Sequence, residues 1–138
     1  MKKIIVGVFL QLFGAFCIAD INSPIVQQTL HDLEAGNGDY AEDHVFSCTD
    51  KAIIRCDDDG NVIHLVQYVT NENQLDVDLS VFTHLDSYRL HPELSISKLP
   101  KGLSNLTDLG YIVINAGAFT VPVIDGSVFP TSLYTFSV

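Results

Sequence analysis

Apolar positions recur with a long period in the second half of the chain. Residues 85–90, 109–114 and 133–138 share the pattern LxxΦxΦ, where Φ is apolar, and their first leucines are evenly spaced at a 24-residue interval. Alternation of apolar and polar positions after the leucine predicts a short strand in each segment. Between the first two strands, residues 96–109 carry a leucine about every third position. The pattern predicts a repeated unit of one strand and one tighter return segment.

One such unit cannot enclose its own leucines, so stacked units must share one interior. The pattern resembles the leucine-rich repeat, most closely its plant-type class with a 24-residue turn. The resemblance implies an α/β fold, a leucine-rich-repeat solenoid with short parallel β-strands on its concave face and a small helical, disulfide-bearing N-terminal cap. About three turns are expected in residues 62–138, the last of them incomplete.

The chain departs from the family pattern at several positions. Val123 and Ile124 stand where the family usually has Leu-Pro. The family places an asparagine after each strand to satisfy buried backbone groups, but Glu93 and Gly117 occupy those positions here. We expect Asn71 to fill the asparagine position in the first turn and the loops on that side to be irregular.

The register of the first strand is ambiguous from sequence. Residues 62–68 predict a further strand before the first full repeat. Counting the repeat from Ile63 turns Tyr68 inward, whereas counting from Val62 would force Gln67 inside. We favour the register from Ile63, although a slip of one position would exchange the two faces of the strand.

The N-terminus has the pattern of an address segment. Lys2 and Lys3 precede an apolar run over residues 4–19, and the chain turns polar and acidic from Asp20. Residues 1–19 are therefore predicted to be a secretory signal peptide. The run is shorter than the roughly 20 residues that span a bilayer, so a retained membrane anchor is the weaker alternative and no stable membrane span is expected. The protein is expected to be secreted and extracellular, or at the cell surface as part of a longer protein.

Residues 20–61 are predicted to form the cap. Ser23 followed by Pro24 is typical of a helix start, and Gly36 is typical of its end. The apolar face of this helix is formed by Val26, Leu30 and Leu33.

Two cysteines remain after the leader is removed, Cys48 and Cys56. In an oxidising compartment this pair favours a disulfide over metal binding, because no second pair of metal ligands accompanies it. The cysteines enclose residues 52–54, which predict an edge strand, and residues 57–59 are interpreted as a solvated turn rather than a calcium site. The order of these elements resembles the plant-type cap, although the tryptophan usual there is absent.

Composition and charge limit the function. The chain has 138 residues, of which 47% are apolar and 17% charged, which predicts one domain after the leader. Its net charge of −10, or −12 without the two lysines of the leader, argues against a nucleic-acid partner. No motif of a nucleophilic, phosphate-binding or zinc enzyme is present, so no catalytic residue, metal or cofactor is predicted. Asn105 begins the sequence Asn-Leu-Thr, which predicts an N-glycan acceptor.

Outward positions of the predicted strands form columns on the concave face. The columns are His64, Asp86, Gly110 and Tyr134; Leu65, Ser87, Tyr111 and Thr135; and Gln67, Arg89, Val113 and Ser137. Tyrosine and arginine are enriched where binding energy concentrates. The predicted ligand-binding residues are Asp86, Ser87, Arg89, Tyr111, Val113 and Tyr134.

Two functions from different classes follow. The first is non-enzymatic recognition of a protein or peptide through the concave face, with a glycan as the other ligand class. The second is an architectural role, as the N-terminal stub or a truncated fragment of a longer adhesion protein or receptor with no ligand of its own. Because the last predicted strand ends at Val138 without a return segment, end-to-end self-association is also expected.

Overall fold

The computed structural model describes residues 20–34, 40–115 and 126–138. The predicted leader, the helix stop at Gly36, and the departures at Gly117, Val123 and Ile124 lie outside these ranges.

The described chain is α/β, with one helix and one five-stranded sheet whose strands are neighbours in the order in which they occur along the chain. The elements are α1 (Pro24–Leu33), β1 (Ile54–Cys56), β2 (Val62–Val69), β3 (Ser87–Pro92), β4 (Tyr111–Ile114) and β5 (Thr135–Ser137). Strand β1 is antiparallel to β2, and β2 to β5 run parallel. The coarse prediction of α/β structure with short parallel strands is therefore confirmed, and the leucine-rich-repeat solenoid stays a prediction.

The pairing of the last three strands follows the spacing of the repeated leucines. Ser87 pairs with Tyr111, and Tyr111 pairs with Thr135, so both steps between strands keep the same interval along the chain. The apolar positions of β3 and β4 point into the core, where Tyr88, Leu90, Ile112 and Ile114 are buried.

The return segments contain short 3₁₀ turns, which explains their leucine spacing. A 3₁₀ helix repeats at every third position, so side chains at that spacing lie on the same side. We call residues 70–86, between β2 and β3, the first return segment and residues 93–110, between β3 and β4, the second. In the first, Phe82 N–H donates to Leu79 O at 3.0 Å, and Leu85 N–H donates to Phe82 O at 2.9 Å. The buried residues of the two return segments at this spacing are Leu79, Phe82, Leu85, Leu103, Leu106 and Leu109.

Gly102 lies in the second return segment, between β3 and β4, at a position that packs closely on the first segment and requires glycine. Its φ is +89°, a left-handed conformation that side chains rarely adopt, and a Cβ there would overlap Oδ1 of Asp78. That carboxylate accepts a hydrogen bond from Ser80 N–H at 2.9 Å and so caps the turn Leu79–Val81. The second return segment packs against this cap, where Leu79 N–H donates to Lys101 O at 3.0 Å.

The register from Ile63 is wrong. His64 pairs with Ser87, so the interval from β2 to β3 is one position shorter than the interval from β3 to β4, and Gln67 is fully buried. Its amide is satisfied there: the hydroxyl of Tyr88 donates to Gln67 Oε1 at 2.5 Å, and Gln67 Nε2 donates to Gln74 O at 3.3 Å. A buried amide carries a large penalty only when it lacks partners, and here the neighbouring strand supplies one.

The expectation that Asn71 satisfies buried backbone groups is also wrong. Asn71 is exposed and caps the turn Glu72–Asp76 by accepting from Asn73 N–H at 2.9 Å. Gln74, rather than Asn71, forms the hydrogen bonds with the buried backbone groups. Its Oε1 accepts from the N–H of Thr70 at 2.8 Å and of Asn71 at 2.9 Å, and its Nε2 donates to Leu33 O at 2.6 Å.

The helix predicted in residues 20–61 is present. Helix α1 begins at Pro24 behind Ser23, whose side chain makes no capping bond, and the buried face includes Val26, Leu30 and Leu33. Gln27 ties the helix to the following loop, because its Oε1 accepts from Phe46 N–H at 2.9 Å and its Nε2 donates to Phe46 O at 2.8 Å.

The edge strand of the cap begins later than predicted. Strand β1 covers Ile54–Cys56 rather than residues 52–54, although Ile53 is also buried. Cys48 and Cys56 form a disulfide with Cα atoms 5.6 Å apart. The turn after β1 is built on Asp57, whose Oδ1 accepts from the N–H groups of Asp59 and Asn61, both at 2.9 Å.

Candidate ligand-binding face

The sheet packs one face on the core and turns the other away from it, and we call the second the open face. Side chains alternate between the two faces along each strand. The open face is formed by His64, Val66, Tyr68, Ser87, Arg89, His91, Tyr111, Val113, Asn115, Thr135 and Ser137. Asp86 and Tyr134 are exposed immediately before β3 and β5. These side chains lie in the columns expected for a binding surface on parallel strands.

The structure brings the predicted ligand-binding residues together. Ser87, Arg89, Tyr111 and Val113 lie side by side on the open face of β3 and β4, and Asp86 and Tyr134 flank them. Two other members of the predicted columns are wrong: Leu65 and Gln67 are buried on the core side. The slip of one position in β2 places His64 beside Ser87 and Val66 beside Arg89 instead.

His64 and Ser87 form a hydrogen-bonded pair in the middle of the open face. His64 Nδ1 and Ser87 Oγ are 2.5 Å apart. Burial lowers the pKa of His64, and the positive charges of Arg55 and Arg89 lower it further, while Asp86 opposes them. At neutral pH the imidazole is therefore uncharged. Among the described residues His64 hydrogen-bonds Ser87 alone, so the pair lacks the third orienting group of a catalytic triad.

Both arginines of the chain lie at this face. Arg89 projects from β3, and Arg55 pairs directly with His64 across the antiparallel β1–β2 ladder, which places it on the same face. Both side chains are exposed, and within the described ranges neither forms a salt bridge. The sequence showed Arg89 as an outward residue, but Arg55 was missed because its position depends on how the cap strand pairs.

The carboxyl ends of β2 to β4 carry a second polar group. The rings of Tyr68 and His91 stack with centroids 5.1 Å apart and planes inclined at 24°. Asn115 Nδ2 lies 3.2 Å from His91 Nε2. Burial lowers the pKa of His91, and the charge of Arg89 adds to this effect. His91 was not among the predicted residues, because the repeat pattern ends one position before it.

The opposite end of the open face is aromatic. Tyr111 is 40% exposed and Tyr134 is 81% exposed, so most of the ring of Tyr134 is available for contact. This ring lies on Gly110, where a Cβ would overlap Cε1 of Tyr134. Glycine at position 110 therefore leaves the space that the ring of Tyr134 occupies. The open face thus changes from cationic near β1 to aromatic near β5.

A groove lies on the helical side of the molecule. It is an open groove of about 610 Å³ between α1 and the first return segment, and its lining includes Asp32, Asp76 and Asp78. These carboxylates already have partners: Gln28 Nε2 donates to Asp32, Lys98 pairs with Asp76 at 2.7 Å, and Ser80 N–H donates to Asp78. The carboxylates of the groove are therefore already engaged in contacts within α1 and within or between the return segments.

The described residues were also predicted to lack a metal site and a membrane span and to carry one glycan acceptor. No group of three or more histidine, cysteine, aspartate or glutamate side chains is arranged to hold a metal ion in the ranges that the structure covers. Among those same residues, no helix has the length and apolar character that a membrane crossing needs. Asn105 is exposed at the end of the turn Leu103–Asn105, and the following Leu106 is buried. Its glycosylation stays a prediction.

Comparison with known proteins adds no relative. No family model, no curated protein and no solved structure matches the chain.

Proposed function

We propose that this protein is a non-enzymatic recognition module of the leucine-rich-repeat type, secreted or at the cell surface, that binds a protein or peptide through the open face of its sheet. The constant interval in the pairing of β3, β4 and β5 and the buried leucines at every third position of the return segments support the repeat assignment. The apolar leader and the Cys48–Cys56 disulfide support export.

The observation that carries the proposal is the composition of the open face. Arg89 and Tyr111 are exposed on neighbouring parallel strands, and Tyr134 is exposed immediately before β5. Tyrosine and arginine are the residue types enriched where binding energy concentrates in protein interfaces. The backbone that carries Arg89 and Tyr111 is already paired in the sheet, so a ligand would need to order little backbone on binding. Asn105 belongs to a return segment and not to the sheet, so a glycan there would leave the open face accessible.

The test is selection of ligands from a phage-displayed library of random dodecapeptides on purified residues 20–138. The selected clones are then measured against the double variant Tyr111→Ser and Tyr134→Ser. The matched control is Val45→Ser, which removes an apolar side chain that is 73% exposed and lies outside the sheet. We expect the tyrosine variant to lose binding and the control to retain it. Clones that bind both variants equally, or a failure to select any clone, would refute the proposal.

An architectural role is the second candidate, and the last strand favours it. Within the described residues β5 pairs only with β4, and Val138 and Tyr134 beside it are 62% and 81% exposed. A sheet edge with exposed apolar side chains is a site for pairing with further strands. Light scattering after size-exclusion chromatography distinguishes the two roles. A dimer or higher assembly of residues 20–138 that dissociates on Val138→Asp would favour the architectural role, and a stable monomer would count against it.

A further inference from the structure

We infer that the open face selects an acidic peptide segment, whose carboxylates lie against Arg55 and Arg89 and whose apolar side chains lie against Tyr111 and Tyr134. This inference rests on the proposed function and names the chemistry of its ligand. It is unexpected for a chain of net charge −10, which as a whole repels acidic partners.

The first support is where the positive charge lies. Five lysines and arginines remain outside the predicted leader, and the two arginines both stand on the open face. Lys98 and Lys101 lie in a return segment, where Lys98 is paired with Asp76. The charges of both arginines act on His64, which lies between them and whose pKa they lower. The two guanidinium groups therefore share one local positive field in an otherwise acidic molecule.

The second support is the spacing of these charges. Arg55 is opposite His64, His64 is opposite Ser87, and Arg89 is two positions beyond Ser87. Two inter-strand steps and two positions along a strand place the Cα atoms of the arginines about 12 Å apart. An extended peptide advances about 3.3 Å per residue and alternates its faces, so two carboxylates four positions apart lie on one face and reach both groups. Each guanidinium has the planar fork that binds a carboxylate through two hydrogen bonds.

The third support is the limit that the surroundings set on the ligand. Asp86 is exposed immediately before β3 and is close enough to His64 to act on its pKa, so it opposes further negative charge there. At physiological salt, charges more than about 8 Å apart are largely screened from each other. A long polyanion would therefore gain no further attraction beyond the two arginines, because the chain as a whole is negatively charged. A short acidic segment followed by apolar residues fits this arrangement, because the aromatic end of the face at Tyr111 and Tyr134 is uncharged.

The experiment repeats the selection from the random dodecapeptide library on three proteins. These are residues 20–138 unchanged, the double variant Arg55→Gln and Arg89→Gln, and the control Lys98→Gln and Lys101→Gln, which removes the same charge outside the sheet. Circular dichroism and the urea midpoint establish that each variant is folded. The readout is the aspartate and glutamate content of the selected clones compared with the unselected library.

We expect the unchanged protein and the lysine control to select acidic clones, and the arginine variant to bind those clones at least tenfold more weakly. Using Arg89→Lys in place of Arg89→Gln in the double variant restores one positive charge and should recover part of the affinity. Clones that are no more acidic than the library, yet fail to bind the tyrosine variant, would overturn this inference and leave the proposed function intact. Clones indifferent to every open-face variant would overturn both. Retention on heparin at physiological salt without any peptide selection would overturn the peptide as the occupant.

Discussion

The hydrogen bond between Tyr88 and Gln67 provides a quantitative test of the register of β2. Both side chains are fully buried, and the hydroxyl of Tyr88 donates to Gln67 Oε1 at 2.5 Å. Burial and the negative charge of Glu34 raise the pKa of Tyr88 well above 10, so the phenol remains a proton donor at all physiological pH values. Tyr88→Phe removes only the donor and leaves the buried amide oxygen without this partner.

The expected loss follows from the cost of an unsatisfied buried group. Tyr88→Phe should lower the free energy of unfolding by about 2 kcal/mol, within the range of about 1–3 kcal/mol for a buried unpaired acceptor. Gln67→Leu should cost a similar amount, because it leaves the hydroxyl of Tyr88 unpaired. The double variant replaces both polar groups by apolar ones and should be about as stable as either single variant or more so. The coupling energy should therefore be about 2 kcal/mol or larger.

Urea unfolding of residues 20–138 followed by far-UV circular dichroism measures these values, since the chain has no tryptophan. The matched control is Tyr68→Phe, which removes a hydroxyl on the open face and should change stability by no more than about 0.5 kcal/mol. If Gln67→Leu behaves like this control and shows no coupling to Tyr88→Phe, then Gln67 lies in solvent. That result would refute the register from Val62 and restore the one from Ile63.

Three further predictions concern stability. Gly102→Ala should cost about 2 kcal/mol, because alanine is strained at a φ of +89° and its Cβ displaces the Asp78 cap; Gly60→Ala, at +86° with more space, should cost less in the same urea assay. Reducing the Cys48–Cys56 disulfide should cost about 2.5 kcal/mol for a loop this short, and a midpoint unchanged by reductant would contradict it. Because the folded pKa of His64 lies below its ordinary value of 6.5, the folded protein resists a proton that the unfolded chain accepts. Stability should therefore be fully present above pH 6.5 and decline as the pH falls from there through the folded pKa. His64→Gln should reduce this slope, and an unchanged slope would exclude His64 as its source.

The sequence was informative where structure depends on local pattern. The regular spacing of the repeated leucines predicted how β3, β4 and β5 pair. Any shift of one position between neighbouring strands would turn the apolar side chains of one strand away from the shared core. The leucines at spacing three predicted the buried side of the return segments. Pro24 and the apolar face behind it predicted α1, since helix starts are determined by neighbouring residues.

Only the tertiary structure decided the polar positions of the interior. Gln67 is an unfavourable inward residue on its own strand, and it becomes favourable because Tyr88 on the next strand donates to it. Gln74 rather than Asn71 satisfies the buried backbone, because helix α1 supplies the carbonyl of Leu33 as a partner from a distant part of the chain. A hydrogen-bond partner that comes from another element leaves no signal in the local pattern.

The same reason explains the candidate site. The exposed positions of β3 and β4 could be read from the repeat, and they include Arg89 and Tyr111. The positive character of the open face could not, because it depends on Arg55, which the antiparallel pairing of the cap strand brings opposite His64. The amino-acid sequence determined which strands repeat and which of their side chains are apolar. The pairing between elements decided which charges share one surface, because those charges come from segments with no common period.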